Sequence, residues 1–293
     1  MKNSLFIFFQ RAVPQHLLSR LVGRLAECKN PWVKNHFIRW FNRQYQINMA
    51  EAVEENPLAY PNFNAFFTRA LKPDARPIDH NPDLLVSPAD GAISQLGKIE
   101  HGRIFQAKGR NYSLTTLLGG DLKRAEPFIN GEFATIYLSP KDYHRVHMPI
   151  SGVLRETVYI PGDLWSVNQV TAEGVDQLFA RNERLVAIFD TEIGPMAMVL
   201  VGAMIVAGIE VVWQGQVAPA QKTPLVLGKR YEYLITLTRG EEMGRFKLGS
   251  TVILLFGENA LHWHRELSAG SDVKLGQGIA SLTTEACNTD CTE

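Results

Sequence analysis

From Ala89 onward the chain is written as short apolar or alternating runs set between glycines and prolines. The runs are Phe133–Leu138, Gly152–Ile160, Leu185–Phe189, Met196–Val212, Tyr231–Thr238 and Ser250–Phe256. Alternation and brief β-rich runs bounded by turn residues predict strands. No strand-helix-strand rhythm and no GxGxxG motif is present, which excludes a doubly wound dinucleotide-binding fold. One helical segment is expected near Thr171–Phe179, and the Pro- and Asp-rich stretch Lys72–Pro88 reads as a connector. The expected fold is α+β, with a β-rich body behind a helical, amphipathic N-terminal region. The expected boundaries are 1–70 for that region and 71–293 for the body.

The first 50 residues differ in kind. Leu17, Leu18, Leu21, Val22 and Leu25 share one helical face, with Arg20 and Arg24 opposite. Asn30-Pro31 is an N-cap followed by proline at the first helical position. Behind it Val33, Phe37, Trp40 and Phe41 are expected on one face. Charge follows the same division. Residues 1–50 carry eight basic groups and one acid, a net +7, while residues 51–293 carry 22 basic and 29 acidic groups, a net −7. The overall formal charge of zero therefore hides a basic head on a mildly acidic body. Such a head suits an anionic surface, and its aromatic and leucine-rich faces suit a membrane interface. The alternative is that these faces pack on the body or on a second copy.

Other classes are excluded more simply. With 45% apolar and 20% charged residues the chain is neither disordered nor fibrous. No apolar run approaches the ~20 residues of a membrane-spanning helix. Leu5–Phe9 is too short for a signal-peptide core. Three cysteines, Cys28, Cys287 and Cys291, do not make a disulfide framework. The Cys287/Cys291 pair and the His262-Trp263-His264 run both lack a matched third ligand, so no metal is expected.

Three segments gather reactive groups: Ser87-Pro88-Ala89-Asp90-Gly91, Asp142-Tyr143-His144-Arg145-Val146-His147-Met148-Pro149 and Lys247-Leu248-Gly249-Ser250-Thr251. Together they hold the inventory of a Ser-His-Asp relay, in which histidine takes the serine proton and aspartate orients the histidine. Any chain of this length holds such residues, so the inventory alone decides nothing. The absence of a GxSxG elbow counts against an α/β-hydrolase.

The order and spacing of these segments carry more. Phe63-Asn64-Ala65-Phe66-Phe67-Thr68-Arg69, Pro88-Ala89-Asp90-Gly91, Tyr143-His144-Arg145-Val146-His147-Met148-Pro149, Pro161-Gly162-Asp163-Leu164 and Leu248-Gly249-Ser250-Thr251 follow one another as in a known family. The chain closely resembles phosphatidylserine decarboxylases of the bacterial and mitochondrial proenzyme type, from near residue 1 to about residue 280.

That resemblance implies a precursor that cuts itself between Gly249 and Ser250. Ser250 Oγ attacks the Gly249 carbonyl, His147 is the base, and Asp90 holds His147 in the productive tautomer. The ester then eliminates, and loss of ammonia leaves a pyruvoyl group where Ser250 stood. The implied products are a β chain, 1–249, and an α chain, 250–293, which remain together as a heterodimer and dimerise further. The covalent pyruvoyl group is the electron sink for decarboxylation, so no separate cofactor and no metal are expected. His144 is the implied residue for placing the substrate carboxylate or returning the proton. The implied partner is phosphatidylserine in an anionic membrane, not a nucleic acid. The implied location is peripheral, on the cytoplasmic side of a bacterial inner membrane, because the resemblance begins almost at Met1. A serine hydrolase or protease using Asp90, His147 and Ser250 in trans is the alternative.

Overall fold

The computed structural model describes residues 2–204, 208–218, 226–247 and 250–283. Gly249 and the Cys287/Cys291 tail lie outside them, and Ser250 is described by its backbone. The body is built on an eight-stranded antiparallel sheet. Its strands run in the order Leu227–Leu237, Gly152–Ile160, Arg184–Thr191, Gly194–Val201, Ser250–Phe256, Glu132–Leu138, Gly91–Lys98 and Asp272–Val273. Ser250–Phe256 therefore lies inside the sheet. It pairs with Gly194–Val201 on one side and with Glu132–Leu138 on the other.

Both faces of this sheet are covered, which explains why the central strand reads as a continuous apolar run instead of an alternating one. Side chains alternate across the pleat. Val252, Leu254 and Phe256 join one core with Met196, Met198, Val146 and Phe246. Ile253 and Leu255 join a second core with Phe133, Val199, Leu178 and Phe179. A second sheet, in the order Gly215–Ala218, Gly208–Val211, Glu242–Lys247 and Arg145–His147, brings the 143–149 motif over the first core.

The β-rich architecture agrees with expectation, with three local differences. The run Met196–Val212 divides between the sheets, as Gly194–Val201 in the large one and Gly208–Val211 in the smaller. The expected helix at Thr171–Phe179 is two short helices, Gln169–Gly174 and Leu178–Arg181. The break comes where Gln177 adopts a left-handed backbone. The connector carries a strand, Leu84–Val86, paired with Gly278–Leu282.

The N-terminal region holds helices α1 (Lys2–Ala12), α2 (Gln15–Ala26), α3 (Pro31–Tyr45) and α4 (Phe63–Phe67). Asn30 caps α3 as expected, its side chain accepting from Trp32 N. The inward face of α3 is Ile38 and Phe41 with Phe37 and Tyr45, packed with Phe63, Phe66 and Phe67. Trp40 belongs to the outer flank and is 56% exposed. The phenylalanine cluster of α4 selects which part of the broad apolar stripe turns inward. No helix among the described residues is long and apolar enough to cross a membrane.

Candidate active site

Three of the segments singled out in the sequence meet at one end of the large sheet. Gly91 begins a strand that lies against Glu132–Leu138, and only glycine fits there. A Cβ at position 91 would stand 2.4 Å from the Tyr137 carbonyl oxygen. That close approach fixes Asp90 at the strand's mouth. The His147 backbone N–H donates to the Pro88 carbonyl at 2.8 Å, which ties the 143–149 segment to the 88–91 segment. Ser250 opens its strand opposite Leu138, so it stands one register position from the loop 139–144.

His147 is held at both ring nitrogens. Nδ1 lies 2.8 Å from the Gly240 carbonyl and Nε2 lies 3.2 Å from the Tyr143 hydroxyl. A carbonyl only accepts, so Nδ1 carries the proton and Nε2 presents its lone pair. Burial holds the imidazole below its ordinary pKa, opposed by the Gly240 carbonyl and the Glu242 carboxylate. His147 is thus a neutral imidazole whose Nε2 lone pair faces the Tyr143 hydroxyl.

Asp90 turns elsewhere. Its Oδ1 accepts from Arg76 Nε at 2.8 Å and from the Leu275 backbone N–H at 3.0 Å. Its Oδ2 accepts from Arg76 Nη2 at 2.6 Å and from Nε at 3.0 Å. The structure therefore brings Asp90 and His147 into one site without a hydrogen bond between them. The Gly240 carbonyl does the orienting expected of Asp90.

His144 is fully buried, with Phe67 lying flat against its ring at a centroid separation of 3.9 Å. Neither ring nitrogen makes a well-formed hydrogen bond. Burial, aided by the nearby Arg69 guanidinium, pushes its pKa down to about 3, against a weaker upward pull from the Pro140 and Ser139 carbonyls. His144 is neutral at any physiological pH.

Beside these groups opens a cavity of about 400 Å³, lined by Arg69, Arg76, Asp90, Tyr137, Asp142 and Tyr143 among others. Asp142 accepts from both N–H and Oγ of Ser139 at 2.7 Å. Its burial still raises the carboxyl pKa. Burial pushes the Tyr143 phenol up to about 12. Sequence reasoning missed Arg76, Gly240 and the functional placement of Phe67, Arg69 and Tyr143. The last three lay inside the quoted motifs. Arg76 and Gly240 carried no signal of their own.

A family model described as phosphatidylserine decarboxylase matches residues 63–281, and one described as PSD matches residues 5–46. The chain belongs to the phosphatidylserine decarboxylase family. It is 62% identical to a phosphatidylserine decarboxylase proenzyme of Pseudomonas fluorescens, over 95% of this chain and 98% of the relative. It is 59% identical to the proenzyme of Stutzerimonas stutzeri, over 100% of this chain and 99% of that one. A third proenzyme, from Ectopseudomonas mendocina, is 60% identical over 94% of this chain. Among the described residues no group of three or more His, Cys, Asp or Glu side chains could hold a metal ion.

Proposed function

We propose that this chain is a self-cleaving phosphatidylserine decarboxylase, cut between Gly249 and Ser250, that converts phosphatidylserine to phosphatidylethanolamine and CO2. The observation that carries this is the family match across residues 63–281, joined to a neutral His147 whose Nε2 lone pair meets the Tyr143 hydroxyl at 3.2 Å, a long bond that the Ser250 hydroxyl would replace. In this reading His147 takes the Ser250 hydroxyl proton as Oγ attacks the Gly249 carbonyl. The Gly240 carbonyl holds the imidazole in place through Nδ1, and the Asp90 charge lies close enough to favour the imidazolium that forms.

The position of Ser250 fits a group made from the chain itself. It begins a strand held by ladders on both sides, so a cut just before it leaves the α chain 250–293 anchored to the β chain 1–249. The pyruvoyl group formed there supplies the electron sink for the pair left by departing CO2. The neighbouring cavity carries Arg69, Arg76 and Lys141 together with Glu51, Asp90 and Asp142. Both signs suit a head group that bears an amine, a carboxylate and a phosphate. His144, neutral and stacked under Phe67, keeps one ring N–H that can donate to the substrate carboxylate without bringing charge into the site.

The N-terminal helices are the membrane-docking element in this reading. Phe8, Phe9, Leu17, Leu21, Leu25, Trp32 and Trp40 are exposed, and Arg11, Arg20, Arg24, Arg39 and Arg43 are exposed around them. Leucine and aromatic side chains with arginine suit the interface of an anionic leaflet. In this reading the enzyme works peripherally, on the cytoplasmic face of a bacterial inner membrane.

Intact mass tests the cleavage. Two chains split at 249/250 are expected, with an α chain whose N-terminus resists Edman degradation. Ser250→Ala should stay whole and inactive. An active enzyme that runs as one unmodified chain of 32.8 kDa sinks the proposal. Hydrolysis of a separate ester or peptide by the uncut chain would favour the trans-acting hydrolase.

A further inference from the structure

Arg76 is an arginine in a Pro- and Asp-rich connector, outside the motifs that carry the family resemblance. It nonetheless makes the densest set of charge-assisted contacts at the site. Nε bridges both Asp90 oxygens at 2.8 and 3.0 Å, and Nη2 reaches Oδ2 at 2.6 Å. Nη2 also binds the Glu51 carboxylate at 2.8 Å, and Nη1 donates to the Ala75 carbonyl at 2.6 Å. The Arg76 and Asp90 side chains are only 10% and 8% exposed. Glu51 belongs to the short turn Met49–Glu51 just after α3, and its carbonyl accepts from Lys72 N at 2.8 Å. The connector and the N-terminal region thus converge on one carboxylate.

A side chain in this place has two physical effects. It gives a partner to a carboxylate that would otherwise be buried beside Asp142 and Asp272 with one backbone N–H as partner. It also fixes the direction of Asp90 in a geometry that a point charge does not impose, because the guanidinium fork binds in a plane. We infer that Arg76, anchored by Glu51, is a positioning residue for self-cleavage: it fixes the Asp90 carboxylate in place and offsets its charge, and through Asp90 sets the basicity of His147. This rests on the reading that Asp90 and His147 serve the cut.

Of the charged groups around this pair, Glu51 and Arg69 come from the N-terminal side, and Lys141 and Asp142 from the 139–144 loop. Asp272 and Lys274 come from the far edge of the sheet. On the other side, Tyr143, Arg145 and Glu242 act on His147. Arg76 alone among them binds the Asp90 carboxylate through its side chain.

The direction of the effect follows. Without the guanidinium, the Asp90 charge acts on His147 with no cation to offset it, which raises the imidazole pKa. That change moves the rising limb of the cleavage rate to higher pH. A full-length precursor made by cell-free synthesis and followed on gels across pH 5 to 9.5 reads this limb directly. Arg76→Gln should cut about tenfold slower near neutral pH and recover as pH rises, a factor of ten for each pKa unit moved. Arg76→Lys, which restores a cation without the fork, should return the limb most of the way. Glu51→Gln should show the same displacement in smaller size, and it serves should Arg76→Gln not fold.

A limb that keeps its position in Arg76→Gln and Glu51→Gln, with the rate unchanged or lowered evenly at every pH, overturns the inference. Asp90→Asn separates the two levels. If it cuts at the wild-type rate, the Asp90 reading itself is wrong. If it fails to cut while the Arg76 limb stays put, only the role of Arg76 falls.

Discussion

Phe67 lies parallel to the imidazole of His144, 18° from coplanar and 3.9 Å away, and closes that ring off from solvent. A residue from the N-terminal region thus helps to bury, and so to keep neutral, a histidine at the end of the loop 139–144. The stack joins the head's aromatic cluster to the site, because Phe67 also packs against Phe41 and Phe63.

Truncating Phe67 should therefore do two things at once. Phe67→Ala removes a buried ring, at a cost of about 3–5 kcal/mol of unfolding free energy. It also opens His144 to water, which returns the imidazole toward its ordinary pKa of 6.5. Urea unfolding measures the first, and NMR titration of the His144 ring measures the second. A destabilised Phe67→Ala protein whose His144 still resists protonation would refute the link.

Acid should unfold the protein partly through His144. Its folded pKa is depressed, so the unfolded chain binds the proton first as pH falls. Stability is full above about pH 6.5 and is lost progressively toward pH 3. Each unit of that depression corresponds to about 1.4 kcal/mol. Stability curves of the wild type and of His144→Gln should run in parallel above pH 6.5 and converge below it. Cleavage should survive in His144→Ala while CO2 release falls, and an uncut His144→Ala protein would refute that division of labour.

Self-cleavage should depend on pH through His147. Burial lowers its pKa below 6.5, so the base is unprotonated at neutral pH and the rate should decline only in acid. Glu242 favours the charged ring, so Glu242→Gln should move the decline to still lower pH. A Glu242→Gln profile displaced upward would contradict this sign.

Much of this was legible from residues alone. Ser250–Phe256 reads as a strand because seven successive residues suit one, and Asn30-Pro31 announces its helix. The motif at 143–149 located both histidines. The partner of Asp90 was not legible. Arg76 is fourteen positions away in a connector, and only the folded chain shows that its fork reaches the carboxylate. Gly240 was hidden for the same reason, since its carbonyl matters through place and not through side chain. Helix α1 gave no clear face, because Leu5–Phe9 is apolar all round.

Gly91 offers a backbone test of the same site. A methyl group there meets the Tyr137 carbonyl, which belongs to a paired strand and cannot yield. Gly91→Ala should cost about 1–3 kcal/mol by overpacking and should displace the neighbouring Asp90. Its cleavage should slow more than its melting temperature explains, relative to a Gly97→Ala control, where no atom stands within 4 Å. Because Gly97 adopts a positive φ, that control carries its own backbone strain but leaves Asp90 alone. Equal cleavage in the two variants would remove any need for the tight approach at position 91.

Membrane docking is best tested on side chains, because deleting the first 45 residues would also strip Ile38 and Phe41 from the core they share with Phe63, Phe66 and Phe67. Leu17, Leu21 and Leu25 recur every fourth residue on α2 and are 55%, 53% and 43% exposed. None of the three belongs to that core. Replacing all three with serine should leave folding and self-cleavage intact. It should remove on the order of 3 kcal/mol of insertion energy, about a hundredfold in liposome affinity. The arginines contribute separately, at roughly 1 kcal/mol each near an anionic surface, and their share falls with salt. Sedimentation with phosphatidylserine-containing and neutral vesicles at two salt concentrations separates the terms. The wild type should bind anionic vesicles in a salt-sensitive way, and the triple variant should keep the salt slope at lower affinity. Unchanged binding by the triple variant would mean that α2 presents this stripe to a second copy of the chain, and its oligomeric state would then change instead.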